Sequence, residues 1–77
     1  MGTKIKNPEL QSIIANRLIE LRHRKGVSQE VVYNDTGVHI SRIETSKLNI
    51  SVSTLSVLCD YYSVSMQEFF SQGFETK

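Results

Sequence analysis

Residues 37–49, GVHISRIETSKLN, combine a hydrophobic seam with a run of polar side chains. Ile40 and Ile43 are three positions apart, a spacing that puts both side chains on one face of a helix. The surrounding residues carry hydrogen-bonding groups that a buried helix does not need, namely His39, Ser41, Arg42, Thr45 and Lys47. The segment therefore predicts a helix that is anchored by its isoleucines and offers its opposite face to a partner.

The residue types elsewhere do not form a catalytic or metal-binding pattern. We find no Ser, His and Asp arrangement, no glycine-rich phosphate loop and no metal constellation, so we expect neither an enzyme nor a cofactor. His39 has no Cys or second His at ligand spacing. The single Cys59 cannot form an intramolecular disulfide, which is typical of a reducing, cytoplasmic setting. No apolar stretch is long enough to predict a membrane span.

Size and charge predict one small globular domain. The chain has 77 residues, 39% of them hydrophobic and 22% charged, and we assign residues 1–77 to a single domain. The net charge of +1 does not by itself indicate a nucleic-acid partner. Residues 1–25 nevertheless hold six basic and two acidic side chains, whereas residues 51–77 hold one basic and three acidic ones. The molecule is therefore polarised, with its basic end first.

Cap and turn residues divide the chain into five helices. Asn7 and Pro8 suit the start of a first helix over about residues 8–25, which Gly26 ends. Ser28 then begins a short second helix, because the turn-forming residues NDTG follow closely after Tyr33. The helix with the two isoleucines comes third.

The second half of the chain predicts two more helices. Ser51 caps a fourth helix, whose apolar stripe continues to Tyr62. Residues 65–68, SMQE, have the form of a capping box and open a short fifth helix. Since no segment makes a convincing strand, the expected fold class is all-α, a compact five-helix bundle.

Several of these segments together resemble a known family. LIELRHRKGVSQE, ISRIETSK and STLSVLCDYYSVSMQEFF are similar to the lambda-repressor-like, or XRE-type, helix-turn-helix DNA-binding domain. The resemblance covers residues 12–70, and the chain ends at 1–6 and 73–77 are expected to fray. The resemblance implies sequence-specific binding of double-stranded DNA by a small transcriptional regulator of the repressor or controller type.

The chain departs from the family pattern in two places. Ser46 stands where the family usually has Gly. The distance from Gln29 to Glu44 is also about three residues too short, close to one helical turn. In one register the second helix is shortened to residues 28–33, Asn34 takes the left-handed turn position, and Asp35 or Thr36 caps a recognition helix over 36–45. In the other, Gly37 is the turn glycine and the recognition helix begins late, at His39. We favour the first.

The resemblance implies that the recognition helix enters the major groove, with His39 and Ser41 on its exposed side. Arg42 is then expected to read guanine through its O6 and N7 atoms, and Val38 to meet a thymine methyl group. Gly37 would let backbone approach backbone, and Thr36 would suit a phosphate. The remaining expected phosphate contacts are Ser28, Gln29, Thr45, Lys47 and Asn49.

Two further expectations follow from the family. By position, Arg22 matches an arginine that pairs with the recognition-helix glutamate, here Glu44, so we expect a structural ion pair. A single domain of this type addresses half a site, which favours a homodimer on a two-fold operator. The expected dimer surface is the C-terminal helix and tail, with Met66, Phe69, Phe70 and Phe74. The alternative function is a protein-interaction module, antitoxin-like or partner-binding, built on the same helices.

Overall fold

The computed structural model of the chain describes residues 8–45 and 49–71. These segments form five helices: α1 (Pro8–Lys25), α2 (Gln29–Thr36), α3 (Ile40–Glu44), α4 (Val52–Tyr61) and α5 (Met66–Phe69). No strand occurs among the described residues. The predicted all-α fold with five helices is therefore confirmed. Within the same segments, no helix has the length and apolar character that crossing a membrane requires.

α1 has the predicted bounds, and its end shows why. Gly26 has a φ of 79°, and its amide donates to the carbonyl of His23 at 3.1 Å. The amide of Val27 donates to the carbonyl of Arg22 at 3.4 Å. This pair of bonds closes the helix around a residue in the left-handed conformation, which glycine adopts without steric cost. Asn7, the predicted cap at the other end, lies outside the described residues.

α2 is longer than predicted, and the favoured register is wrong. The helix continues to Thr36, and Gly37 ends it with a φ of 80° and an amide that donates to the carbonyl of Tyr33 at 2.8 Å. Asn34 lies within the helix instead of occupying the left-handed turn position. The observed register is the other one, in which Gly37 is the turn glycine and the next helix begins late.

The hydroxyl of Thr36 supports this register. It donates to the carbonyl of Val32 at 2.8 Å, as threonine does inside a helix, and accepts from the amide of Val38 at 3.1 Å. Thr36 is therefore the last residue of α2 and not the cap of α3. With α2 extended in this way, both Val32, at 0% exposure, and Ile40, at 1%, reach the core.

α3 is shorter than the recognition helix predicted over residues 36–45. Its five residues make less than one and a half turns and span roughly 7.5 Å. His39 precedes it without forming a side-chain cap. A helix this short is not stable alone, so its position depends on tertiary contacts. Ile40 and Ile43, both buried as predicted, supply the apolar part of those contacts.

α4 and α5 begin at the serines that the sequence indicates. Ser51 Oγ accepts from the amide of Thr54 at 3.0 Å. At α5 the predicted capping box is confirmed: Ser65 Oγ accepts from the Glu68 amide, and Glu68 Oε1 accepts from the Ser65 amide, both at 2.9 Å.

One core receives side chains from all five helices. Its buried members are Ile14, Leu18, Leu21, Val32, Ile40, Ile43, Leu55, Leu58, Cys59, Tyr62 and Phe69. Phe69 has no exposed surface, so its assignment to a dimer surface is wrong. Phe70 is 39% exposed and Met66 is partly buried against the core, while Phe74 lies outside the described residues.

Candidate nucleic-acid interface

α2, the turn after it and α3 form a helix-turn-helix with one anchored side and one exposed side. Ile40 and Ile43 fix α3 to the core, and Ser41, Arg42 and Thr45 are exposed. Arg42 forms no salt bridge with any described residue. A guanidinium that is exposed and not neutralised can bind an anionic or hydrogen-bonding partner.

Two shallow depressions lie side by side on the exposed face. One is lined by Gly37, Val38, His39, Ser41, Arg42, Ile43 and Thr54. The other is lined by Gln29, Glu30, Tyr33, His39, Ile40 and Ser41. His39 and Ser41 border both, so the depressions make one continuous surface, which we call the α2–α3 surface. It brings together residues from both helices of the helix-turn-helix.

Glu44 joins three helices through its carboxylate. Arg22 Nε donates to Glu44 Oε2 at 2.8 Å and Arg22 Nη2 to Glu44 Oε1 at 3.2 Å. The side chains of this pair are only 14% and 5% exposed, respectively. Gln29 Nε2 also donates to Glu44 Oε1, at 2.8 Å. The ion pair expected from the sequence thus links α1 to α3, and Gln29 adds the start of α2.

The backbone completes the surroundings of Arg22. Its Nη1 donates to the carbonyl of Val27 at 3.0 Å, just after α1. The hydrogen bond with Glu44 raises the pKa of Arg22 above its usual value, and this effect exceeds the opposite effect of burial. Arg22 is therefore held by contacts within the protein, whereas Arg42 is exposed.

Three residues expected at the DNA have different surroundings from those predicted. Thr36 ends α2, with both of its hydrogen bonds directed to backbone, so the prediction that it lies at the start of the recognition helix is wrong. Gly37 lies in the turn, where its backbone has a left-handed φ, and not in the recognition helix. Val38 also lies in the turn, where it packs against the core and remains partly exposed.

The other expected contacts are mostly accessible. Ser28 caps α2, with Oγ accepting from the amide of Val31 at 3.2 Å. Thr45 Oγ1 donates to the carbonyl of Arg42 at 2.8 Å, at the end of α3. Asn49 is exposed, and its Oδ1 accepts a hydrogen bond from Gln11 Nε2. Lys47 lies outside the described residues.

Tyr33 is a surface residue that sequence analysis missed. Its ring stacks on the imidazole of His39, with centroids 4.0 Å apart and planes inclined by 25°. Its side chain lies on the α2–α3 surface because α2 continues past it, which puts it one helical turn after Gln29. The four-residue spacing from Gln29 to Tyr33 could have indicated that both side chains lie on one face of α2. It was missed because the predicted helix ended at Tyr33.

A second contact group holds the end of α2. Tyr61 Oη donates to Asp35 Oδ2 at 2.6 Å, and the ammonium of Lys25 lies 4.8 Å from the centre of the Tyr61 ring. The hydrogen bond to Asp35 raises the pKa of Tyr61. These contacts connect α4 with the ends of α1 and α2, and so help to fix the turn at Gly37.

The described residues contain no group of three or more His, Cys, Asp or Glu side chains that could hold a metal ion. Cys59 is buried among apolar side chains, and desolvation raises the pKa of its thiol. Its environment fits packing and does not activate the sulfur.

The chain is similar to two curated proteins with a helix-turn-helix. Both are described as the HTH-type transcriptional regulator PuuR, one from Escherichia coli (strain K12) and one from Shigella flexneri. Each is 39% identical over 59 residues, which is 73% of this chain and 32% of the relative. The chain thus spans about a third of the length of these relatives. No family model and no solved structure matches it. The similarity agrees with the observed α2–turn–α3 geometry.

Proposed function

We propose that this chain binds double-stranded DNA sequence-specifically and acts in the cytoplasm as a small transcriptional regulator, of the lambda-repressor-like or XRE type. One observation carries the proposal: α3 is anchored by Ile40 and Ile43 and exposes on its other side Arg42, which forms no salt bridge with a described residue. The similarity to regulators named for their helix-turn-helix supports it.

In this proposal α3 lies in the major groove. Arg42 donates to the O6 and N7 atoms of a guanine, and Ser41 and His39 contact neighbouring base edges or the strand beside them. Val38 borders the same depression and is assigned to a thymine methyl group. Because α3 has only five residues, few side chains can contact bases, and Arg42 carries most of the base discrimination.

Phosphate contacts then set the position of α3. Gln29 is suited to this role because Glu44 fixes its amide nitrogen, which orients the side chain at the start of α2. Ser28, Thr45, Lys47 and Asn49 are assigned to the same class of contact, which orients a protein without reading sequence. Thr36, at the end of α2, and Gly37, in the turn, are assigned to holding α3 in place.

We also propose a homodimer on a two-fold operator. A helix of roughly 7.5 Å spans few base pairs, and two copies address half-sites about 34 Å apart. The surface assigned to the dimer is Met66 in α5 and Phe70 directly after it, which remain accessible, together with the following tail. Sedimentation at increasing concentration tests it; a monomer that binds one half-site per chain at high micromolar concentration contradicts it.

The test of DNA binding is a selection from random duplexes, followed by titration of the selected duplex at several salt concentrations. Arg42→Ala is expected to remove the preference at one base position. Arg24→Ala is the matched control, because Arg24 is also exposed but borders neither depression. It should weaken binding modestly and leave the selected sequence unchanged. If no sequence is enriched and duplex binding is undetectable at low salt, the proposal fails.

A protein-interaction module is the second candidate. It is favoured by Val52 and Val57, which are 74% and 45% exposed on α4. Salt discriminates between the two functions: binding through several phosphates weakens steeply as salt rises, whereas an apolar protein interface does not weaken in this way.

A further inference from the structure

The stacked pair of Tyr33 and His39 gives the helix-turn-helix an element that lies outside α3. Tyr33 belongs to α2, and His39 is the residue just before α3. Their rings are 4.0 Å apart and nearly parallel. Stacking of two aromatic rings contributes about 0.5–1.5 kcal/mol beyond area burial, which favours this orientation of the imidazole.

The polar edges of this pair remain available. Tyr33 is 43% exposed and His39 is also exposed. Within residues 8–45 and 49–71, neither the Tyr33 hydroxyl nor the His39 ring nitrogens have a hydrogen-bond partner.

The pair also occupies a defined place relative to Arg42. Tyr33 and His39 line one depression with Gln29, and His39 and Ser41 continue into the depression that Arg42 lines. The pair therefore lies on the N-terminal side of α3, where a longer recognition helix would have its first turn. Tyrosine contributes a rigid, amphipathic contact at low entropic cost, which suits this position.

We propose that Tyr33 is a DNA contact, whose hydroxyl donates to a backbone phosphate beside the base pairs that α3 reads, while its ring holds His39 against the same strand. This inference rests on the proposed DNA-binding function and deepens it. The stacked pair replaces the contacts that the short α3 lacks at its start. Glu30 borders the same depression, and a neutral hydroxyl donor provides a phosphate contact beside that carboxylate.

The test uses the full chain and the selected duplex. Tyr33→Phe keeps the stacked ring and removes the hydroxyl, and we expect it to weaken binding about three- to tenfold on every sequence tested. The base preference should stay the same. Tyr62→Phe is the matched control, since it deletes a tyrosine hydroxyl that is buried in the core without a hydrogen-bond partner among the described residues, away from the α2–α3 surface. Its affinity should equal that of the parent chain.

Phosphate substitution identifies the contact directly. Neutral methylphosphonates are placed one at a time along both strands. A methylphosphonate at the phosphate that Tyr33 contacts should weaken DNA binding by the parent chain. The same substitution should not weaken binding by Tyr33→Phe any further, because this variant already lacks the contact. A uniform profile, in which the variant responds like the parent at every position, overturns the assignment.

A double-mutant cycle tests the role of stacking. Tyr33→Leu removes both ring and hydroxyl, so it should weaken binding more than Tyr33→Phe does. The additional loss should disappear when His39 is replaced by Ala, because the ring then has no imidazole to hold. A Tyr33→Leu variant that folds, as judged by its thermal melt, and binds as well as Tyr33→Phe contradicts the stacking part.

The outcomes separate this inference from the proposed function. If the parent chain selects a sequence and Arg42→Ala loses one base preference, but Tyr33→Phe binds within twofold of the parent, only the inference fails. If the parent chain selects no sequence, the proposed function fails and the inference falls with it.

Discussion

Arg22 Nε donates to Glu44 Oε2 at 2.8 Å, which ties the last turn of α1 to the last residue of α3. Gln29 adds a donor from the first residue of α2 to the same carboxylate. Three helices therefore meet at one acidic side chain. Because α3 is too short to persist alone, this contact and the two buried isoleucines determine where Arg42 is presented.

Glu44→Ala should destabilise the fold by about 2–3 kcal/mol, because it leaves the largely buried Arg22 guanidinium without its partner. Arg22→Ala should have a similar effect for the converse reason. Urea denaturation measures both. Glu20 is 55% exposed and pairs within α1 with Arg17 at 3.3 Å and with Arg24 at 3.7 Å, and Glu20→Ala, the control, should change stability by less than about 1 kcal/mol. Parent-like stability in Glu44→Ala would refute a structural role for the pair.

Gly37→Ala should cost roughly 1–2 kcal/mol of stability, because the backbone has a φ of 80° there. A Cβ at this position meets no atom within 4 Å, so the cost is backbone strain and not a clash. Gly37→Asn should cost less, since Asn tolerates this conformation. Gly26→Ala is the matched control. Gly26 has a φ of 79° and equally open surroundings, but it lies at the end of α1 and not in the turn before α3.

The two glycine variants separate stability from binding. Both should lower the midpoint of denaturation, but only Gly37→Ala should also weaken DNA binding under conditions where the protein is folded, because it alone disturbs the turn before α3. A neutral or stabilising Gly37→Ala would contradict the observed register and support a turn at Asn34.

Glu30→Gln should strengthen DNA binding about two- to fivefold at low salt, because it removes a negative charge from the α2–α3 surface, where phosphates approach. The gain should shrink as salt screens the charge. Asp60→Asn removes the same charge from an exposed residue that borders neither depression. Equal gains in the two variants would mean that net charge alone matters.

Tyr62 makes stability depend on pH in the alkaline range. Burial raises the pKa of its hydroxyl to about 12, with Glu44 adding to the shift. The raised pKa means that the folded state disfavours the ionised form. The contribution is therefore fully present below the usual pKa of 10 and is lost as pH rises from there towards 12.

Tyr62→Phe isolates this effect. The parent chain should lose stability relative to the variant between pH 8 and pH 11 in urea denaturation. At pH 8 the variant should lie within about 1 kcal/mol of the parent, because the Tyr62 hydroxyl is buried without a hydrogen-bond partner among the described residues. Parallel pH profiles would exclude Tyr62 as the source.

The sequence by itself determined the elements whose signals are local. Pro8 and Gly26 bound α1, and the capping box at Ser65 opens α5, because caps and left-handed glycines act within one turn of the chain. The buried face of α4, which runs from Leu55 to Tyr62, follows from its apolar spacing. The approach of Arg22 to Glu44 was expected from the family resemblance, which covers most of the chain.

Only the tertiary structure decided where α2 ends and which aromatic side chain points inwards. Asn34 and Gly37 can both adopt a left-handed conformation, and Thr36 can either cap a helix or end one, so local chemistry permitted two registers. In the observed fold, α2 extends to Thr36 while Val32 and Ile40 are both buried in the core. Likewise Phe69 is buried and Phe70 is 39% exposed, because only packing against α4 distinguishes two adjacent rings at the end of one short helix.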